Sequence, residues 1–126
     1  MSSKKVLLVD DDAVFVMSVA AVLGTRYEVV TASNGTEGRA KARSEKPDLV
    51  ILDVMMDHLS EGFDVAKELR QDDSLAAMKI MMLTAVDEVY NVRMEVGENY
   101  VRADRFVEKP VTPEQILTHV EELIGL

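Results

Sequence analysis

Uninterrupted apolar runs punctuate this chain at regular intervals. Val6-Leu7-Leu8-Val9, Leu49-Val50-Ile51-Leu52 and Ile80-Met81-Met82-Leu83 each lack the polar alternation of a half-exposed strand. Such runs read as strands buried on both faces, as in a parallel sheet covered by helices. A β-branched run, Tyr27 to Ala32, and a shorter segment near Asp104 to Glu108, with Phe106 and Val107 at its centre, supply two further strands. Between them the period changes. Ala13 to Leu23 is densely apolar, with Asp12 placed as N-cap and Gly24 as stop. Asn34-Gly35 turns the chain, and Thr36 to Ser44 reads as a polar, exposed helix. Gly62 to Gln71 is amphipathic, with Phe63, Val65, Ala66 and Leu69 inward, and Asp87 to Glu98 makes a fourth helix. Thr112-Pro113-Glu114-Gln115 opens the last helix with an N-cap, proline at N1 and glutamine at N3, a capping box. That helix presents Ile116, Leu117, Val120, Leu123 and Ile124 to a core. Five βα units with short connections predict a three-layer α/β/α domain with right-handed crossovers.

The length of 126 residues suits one domain with one core. The chain stops with its last helix, so the expectation is a single domain over 1–126 with no output domain. At 48% hydrophobic and 29% charged it has the composition of a folded chain, and cysteine is absent, excluding thiolate metal sites and disulfides. A net charge of −9 repels nucleic acid and anionic membrane. No apolar stretch reaches the roughly 20 residues of a membrane helix, and no signal-type segment follows Met1, so the expectation is a cytoplasmic protein.

The strand ends carry the chemistry. The first run meets Asp10-Asp11-Asp12, the third ends in Asp53, the fourth in Thr84, and the fifth leads to Lys109-Pro110. Ligands of open parallel sheets bind beyond the carboxyl ends of the strands. If these ends align, carboxylates, a hydroxyl and an ammonium converge. Asp10, Asp11 and Asp53 are hard oxygen donors of the kind magnesium prefers, and three crowded carboxylates call for a cation. Asp12 is better used as a helix cap.

That ordered set, Asp10-Asp11, Asp53, Thr84 and Lys109-Pro110, resembles the response-regulator receiver domain over essentially the whole chain. The resemblance implies a doubly wound, flavodoxin-like five-stranded parallel sheet of order 2-1-3-4-5. It implies that Asp53 accepts phosphate from a partner's phosphohistidine, on a sensor histidine kinase or a histidine phosphotransfer protein. Asp10, Asp11, Asp53 and the Met55 backbone carbonyl would hold Mg2+, and Thr84 and Lys109 would contact the phosphoryl oxygens. Phe106 occupies the place of the family's switch aromatic. Its inward turn with Thr84 would alter the face of the fourth helix, fifth strand and fifth helix, read by an unknown downstream protein. Plain core packing of Phe106 is the competing expectation. The resemblance also implies a cis Lys109–Pro110 bond.

Three departures from the family pattern bear on function. Met55-Met56 is followed by Asp57-His58-Leu59-Ser60-Glu61-Gly62, without the usual proline and with a longer loop. Val96 to Arg102 lengthens the segment before the fifth strand, where the family tends to have a tight Gly-Ala-Asp turn, and Tyr90, Tyr100 and Val101 are candidate contacts there. Met55 and Val86, which in the family flank the path of attacking water, are apolar and cannot orient one, which predicts slow self-dephosphorylation. An aspartyl phosphohydrolase would need an acid/base carboxylate two residues after Asp53, where Met55 cannot move protons. A nucleotide or flavin binder would need a Gly-rich or hydroxyl-rich loop where Asp10-Asp11-Asp12 stands. The expectation is therefore a signalling phosphoacceptor, not a turnover enzyme, with an unphosphorylated interaction module as the alternative.

Overall fold

Alternate residues along the central strands point to opposite faces of the sheet, and both faces are dry. In the computed structural model, which describes residues 4–53, 61–85 and 103–125, five parallel strands form one sheet. They are β1 (Lys5–Val9), β2 (Glu28–Ala32), β3 (Leu49–Asp53), β4 (Lys79–Ala85) and β5 (Arg105–Lys109), in the order β2-β1-β3-β4-β5. The helices are α1 (Ala13–Leu23), α2 (Gly35–Glu45), α3 (Glu61–Arg70) and α4 (Pro113–Ile124), with a 3-10 turn at Asp73–Leu75. The fourth helix expected over Asp87 to Glu98 lies outside the described residues, so the last helix is α4 here.

Leu7, Val9, Val50, Leu52, Ile80 and Met82 pack with Ala42, Val65, Ala66 and Leu69 on one side. Val6, Leu8, Leu49, Ile51, Met81 and Leu83 pack with Val19, Leu23, Ile116 and Val120 on the other. Odd and even positions within each strand thus separate into two cores, one under α2 and α3, the other under α1 and α4. This is the expected three-layer architecture, and the strand order is the one the resemblance implied.

Local signals set most boundaries. Asp12 accepts from the Val14 and Phe15 N–H groups, both at 3.1 Å, and α1 begins at Ala13. Thr112 and Gln115 exchange the reciprocal bonds of a capping box at 3.1 and 3.0 Å. Ile116 and Val120 are fully buried, while Leu117, Leu123 and Ile124 are partly so. Gly24 ends α1 in the right-handed region, at φ −63°, so its value is space: a Cβ there would meet the Ala20 carbonyl at 2.9 Å. Asn34-Gly35 is a helix start, not a separate turn, because the Asn34 side chain accepts from the Glu37 N–H at 2.8 Å. Tyr27 precedes β2; its buried ring sends the hydroxyl to the Gly125 carbonyl at 2.6 Å. The Phe63 side chain lies outside the described residues.

After the lengthened segment, the chain rejoins the sheet at Asp104. Its N–H donates to the Ile80 carbonyl and its carboxylate accepts from the Ile80 N–H, both at 2.8 Å, with Arg70 paired to the same carboxylate. This double clasp sets where β5 starts against β4. On the other face of the sheet α1 is apolar apart from Ser18, leaving Val14 and Met17 outward and exposed.

Candidate functional site at the carboxyl edge of the sheet

The strand order changes direction between β1 and β3, and ligands of doubly wound sheets bind at that switch point. Asp10 follows β1 and Asp53 ends β3; Val9 pairs with Leu52, so the two aspartates stand level. Thr84 lies next to last on β4 and Lys109 last on β5, with Ala85 paired to Lys109. Parallel register therefore delivers all four to one edge.

Three of the sequence's candidates form a compact oxygen cluster. Carboxylate oxygens of Asp10, Asp11 and Asp53 lie within 4.8 Å of one another. Asp10 is 1% exposed and Asp53 6%, while Asp11 is open to solvent. Lys109 Nζ stands 3.4 Å from Oδ2 of Asp10 and 3.4 Å from Oδ2 of Asp53. The other Asp10 oxygen accepts from the Asp12 N–H at 2.9 Å, which fixes the carboxylate plane. Burial pushes the Lys109 ammonium down, but the Asp53 and Asp10 carboxylates outweigh it and hold its pKa above the usual lysine value.

Among the described residues, the Lys109 ammonium does not balance three carboxylates. Two like charges about 5 Å apart repel by about 3 kcal/mol at an effective dielectric near 20. The donor set is all oxygen, partly open through Asp11, and it fits a hard divalent cation such as Mg2+ that keeps several waters. The Met55 carbonyl expected as a further ligand lies outside the described residues, as do His58, Val86, Tyr90, Tyr100 and Val101.

Thr84 is completely buried, and its hydroxyl has no hydrogen-bond partner among the described residues. It stands at the site's edge yet is bonded to none of the other members. Phe106 is 41% exposed, so plain core packing does not describe it. Its ring lines an open groove of about 450 Å³ with Pro110, Val111, Gln115, Thr118 and His119. The Lys109–Pro110 bond is cis, as the resemblance implied.

Sequence reasoning overlooked one neighbour of the site. Phe15 on α1 places its ring centroid 5.0 Å from Lys109 Nζ. An aromatic early in the first helix was visible, but only the packing of α1 beside α4, on the face of the sheet they share, brings it to the lysine.

The family model for the response regulator receiver domain matches residues 6–121. The chain belongs to that family. As a receiver domain it is 38% identical over 125 residues to the alkaline phosphatase synthesis transcriptional regulatory protein PhoP of Bacillus subtilis, covering 97% of this chain and 49% of PhoP. It is 36% identical over 122 residues to hybrid signal transduction histidine kinase D of Dictyostelium discoideum, covering 96% of this chain and 8% of the kinase. Among solved structures, chemotaxis response regulator CheY4 of Vibrio cholerae superposes with a TM-score of 0.83 at 30% identity, over 98% of this chain and 100% of CheY4. The chain spans about half the length of PhoP. Receiver domains are signalling modules of two-component systems, and here the cluster of acidic side chains suits Mg2+. Among the described residues no helix is long and apolar enough to cross a membrane.

Proposed function

We propose that Asp53 accepts a phosphoryl group from a phosphohistidine on a cytoplasmic sensor kinase or phosphotransfer protein. The observation that carries this reading is the convergence of Asp53, Asp10, Asp11 and Lys109 at the carboxyl edge of the sheet. An Asp53 carboxylate oxygen forms the new P–O bond as the donor's P–N bond breaks, and the electron pair leaves with the imidazole nitrogen, which takes a proton from solvent. Phosphoryl transfer needs mainly positioning and charge neutralisation. Asp10, Asp11 and Asp53, with the Met55 carbonyl, would hold Mg2+, which supplies positive charge to the transferring oxygens. Lys109 supplies the protein's own positive charge beside Asp53. Asp10 also contacts that ammonium, at 3.4 Å, and is itself held by the Asp12 N–H.

The acyl phosphate adds charge and acceptor oxygens, favouring the conformation in which Thr84 and Lys109 are drawn in. Thr84 has a buried hydroxyl, unbonded among the described residues, with which to respond. Its movement would free space for Phe106, whose ring is now partly in solvent, and change the face made by β5 and α4 for a downstream protein. Apolar Met55 and Val86 leave attacking water unguided, so the phosphoryl state is long-lived.

Acetyl phosphate with Mg2+ tests the reading by intact mass. Wild type should gain one phosphoryl group and Asp53→Asn none. Labelling that is absent from wild type, or undiminished in Asp53→Asn, would overturn it.

A further inference from the structure

Lys109 has a neighbour that its two carboxylates do not account for. The Phe15 ring centroid lies 5.0 Å from Nζ, inside the roughly 6 Å over which the negative face of an aromatic ring attracts a cation. Phe15 is partly buried against the core beneath α1 and α4. Its backbone N–H is tied to Asp12 Oδ1 at 3.1 Å, so the first turn of α1 gives the ring a fixed base.

The carboxylates alone hold the ammonium loosely. Both Nζ–oxygen distances are 3.4 Å, whereas a charge-assisted N–H···O bond favours about 2.7–2.9 Å. Lysine carries its charge on a flexible four-carbon stem with many rotamers to restrict. A ring face on the remaining side narrows that freedom without offering a competing hydrogen-bond acceptor. It also leaves the ammonium's donors available to incoming oxygens. A leucine at position 15 would satisfy the same core but present no π face.

We infer that Phe15 is a positioning residue for phosphoryl transfer, holding the Lys109 ammonium beside Asp53 where phosphoryl oxygens arrive. The inference rests on the phosphoacceptor reading of Asp53. The first turn of α1 then orders the site twice: Asp12 fixes Asp10 through its N–H, and Phe15 fixes Lys109 through its ring.

The test is the rate at which the full chain is labelled by acetyl phosphate with Mg2+, with position 15 carrying phenylalanines of increasing fluorination. Fluorine drains the ring's negative face while nearly preserving its shape. The rate should fall stepwise, by about three- to tenfold in all, while the unfolding midpoint stays constant. Phe15→Leu should show a comparable loss, and Phe15→Tyr should retain most of the wild-type rate. Equal rates across the fluorinated series, or equal losses in the leucine and tyrosine variants, would overturn the positioning role while leaving Asp53 as phosphoacceptor. Failure of wild type itself to be labelled would overturn both.

Discussion

Lys109 Nζ lies 3.4 Å from Oδ2 of Asp53, joining the last residue of β5 to the last residue of β3 across the intervening β4. The same ammonium reaches Asp10, which directly follows a third strand, β1. Replacing it with an apolar side chain leaves nearly buried carboxylates facing one another. Lys109→Met should therefore lose about 1–3 kcal/mol of stability in magnesium-free buffer. Added Mg2+ should recover part of that loss, because a second cation can take over the neutralisation. Urea unfolding with and without Mg2+ checks both halves; an unchanged midpoint in the apo protein would refute the first.

Asp11 is the exposed member of the oxygen cluster, so its removal separates metal binding from folding. Wild type should gain about 2.7 kcal/mol when Mg2+ is raised to a hundred times its dissociation constant. In Asp11→Asn the same concentration should give a clearly smaller shift in the melting temperature. A shift equal to that of wild type would remove Asp11 from the ligand set.

Thr84 is fully buried, and its hydroxyl has no bond among the described residues. Valine has the same shape without the polar atom. Thr84→Val should thus stabilise the unphosphorylated protein, by about 1 kcal/mol, at the expense of the response to phosphate. Thermal unfolding measures the gain, and the spectral change on beryllofluoride addition measures the loss. A destabilised variant would show that the hydroxyl is satisfied in solution.

Gly38 sits over Val9, where an added Cβ would meet both valine methyl groups at 3.0 Å. A glycine-to-alanine change inside a helix ordinarily stabilises by about 0.5–1 kcal/mol. Here Val9 is wholly buried on β1, between β2 and β3, and has little room to yield. Gly38→Ala should instead destabilise by about 1–2 kcal/mol. Combining it with Val9→Ala should relieve the clash, giving a coupling energy of opposite sign to the single losses. Simple additivity of the two losses would contradict this packing.

Asp72 caps the 3-10 turn before β4, accepting from the Ser74 hydroxyl at 2.6 Å and the Ser74 N–H at 3.0 Å. These bonds, the hydroxyl's foremost, hold its carboxyl below the usual aspartate value, with Arg43 helping. Its folded pKa being lower, the contribution to stability is fully present above the ordinary aspartate pKa. It fades as pH falls through the folded-state value. Asp72→Asn should accordingly be less stable than wild type near neutrality, with the gap narrowing as the solution is acidified. Denaturant midpoints along an acid series test it, and a gap that widens in acid would reverse the assignment.

Among the described residues, the sequence by itself determined which segments become strands and helices, since those signals are local. Four-residue apolar runs, the Asp12 cap and the Thr112–Gln115 capping box act within a turn or a strand, and the structure places α1 and the last helix where they predict. It also carried the candidates Asp10, Asp11, Asp53 and Lys109, because register in a parallel sheet brings strand ends to one edge. Reading Asn34-Gly35 as a separate turn went astray because an N-cap and a turn use the same residue types. Other features were decided only by tertiary structure. The approach of Phe15 to Lys109, the seat of Gly38 on Val9 and the outward ring of Phe106 depend on how α1, α2 and α4 pack against the sheet. Such contacts join residues far apart in the chain, and the local rules that set a helix or a strand carry no information about its neighbour.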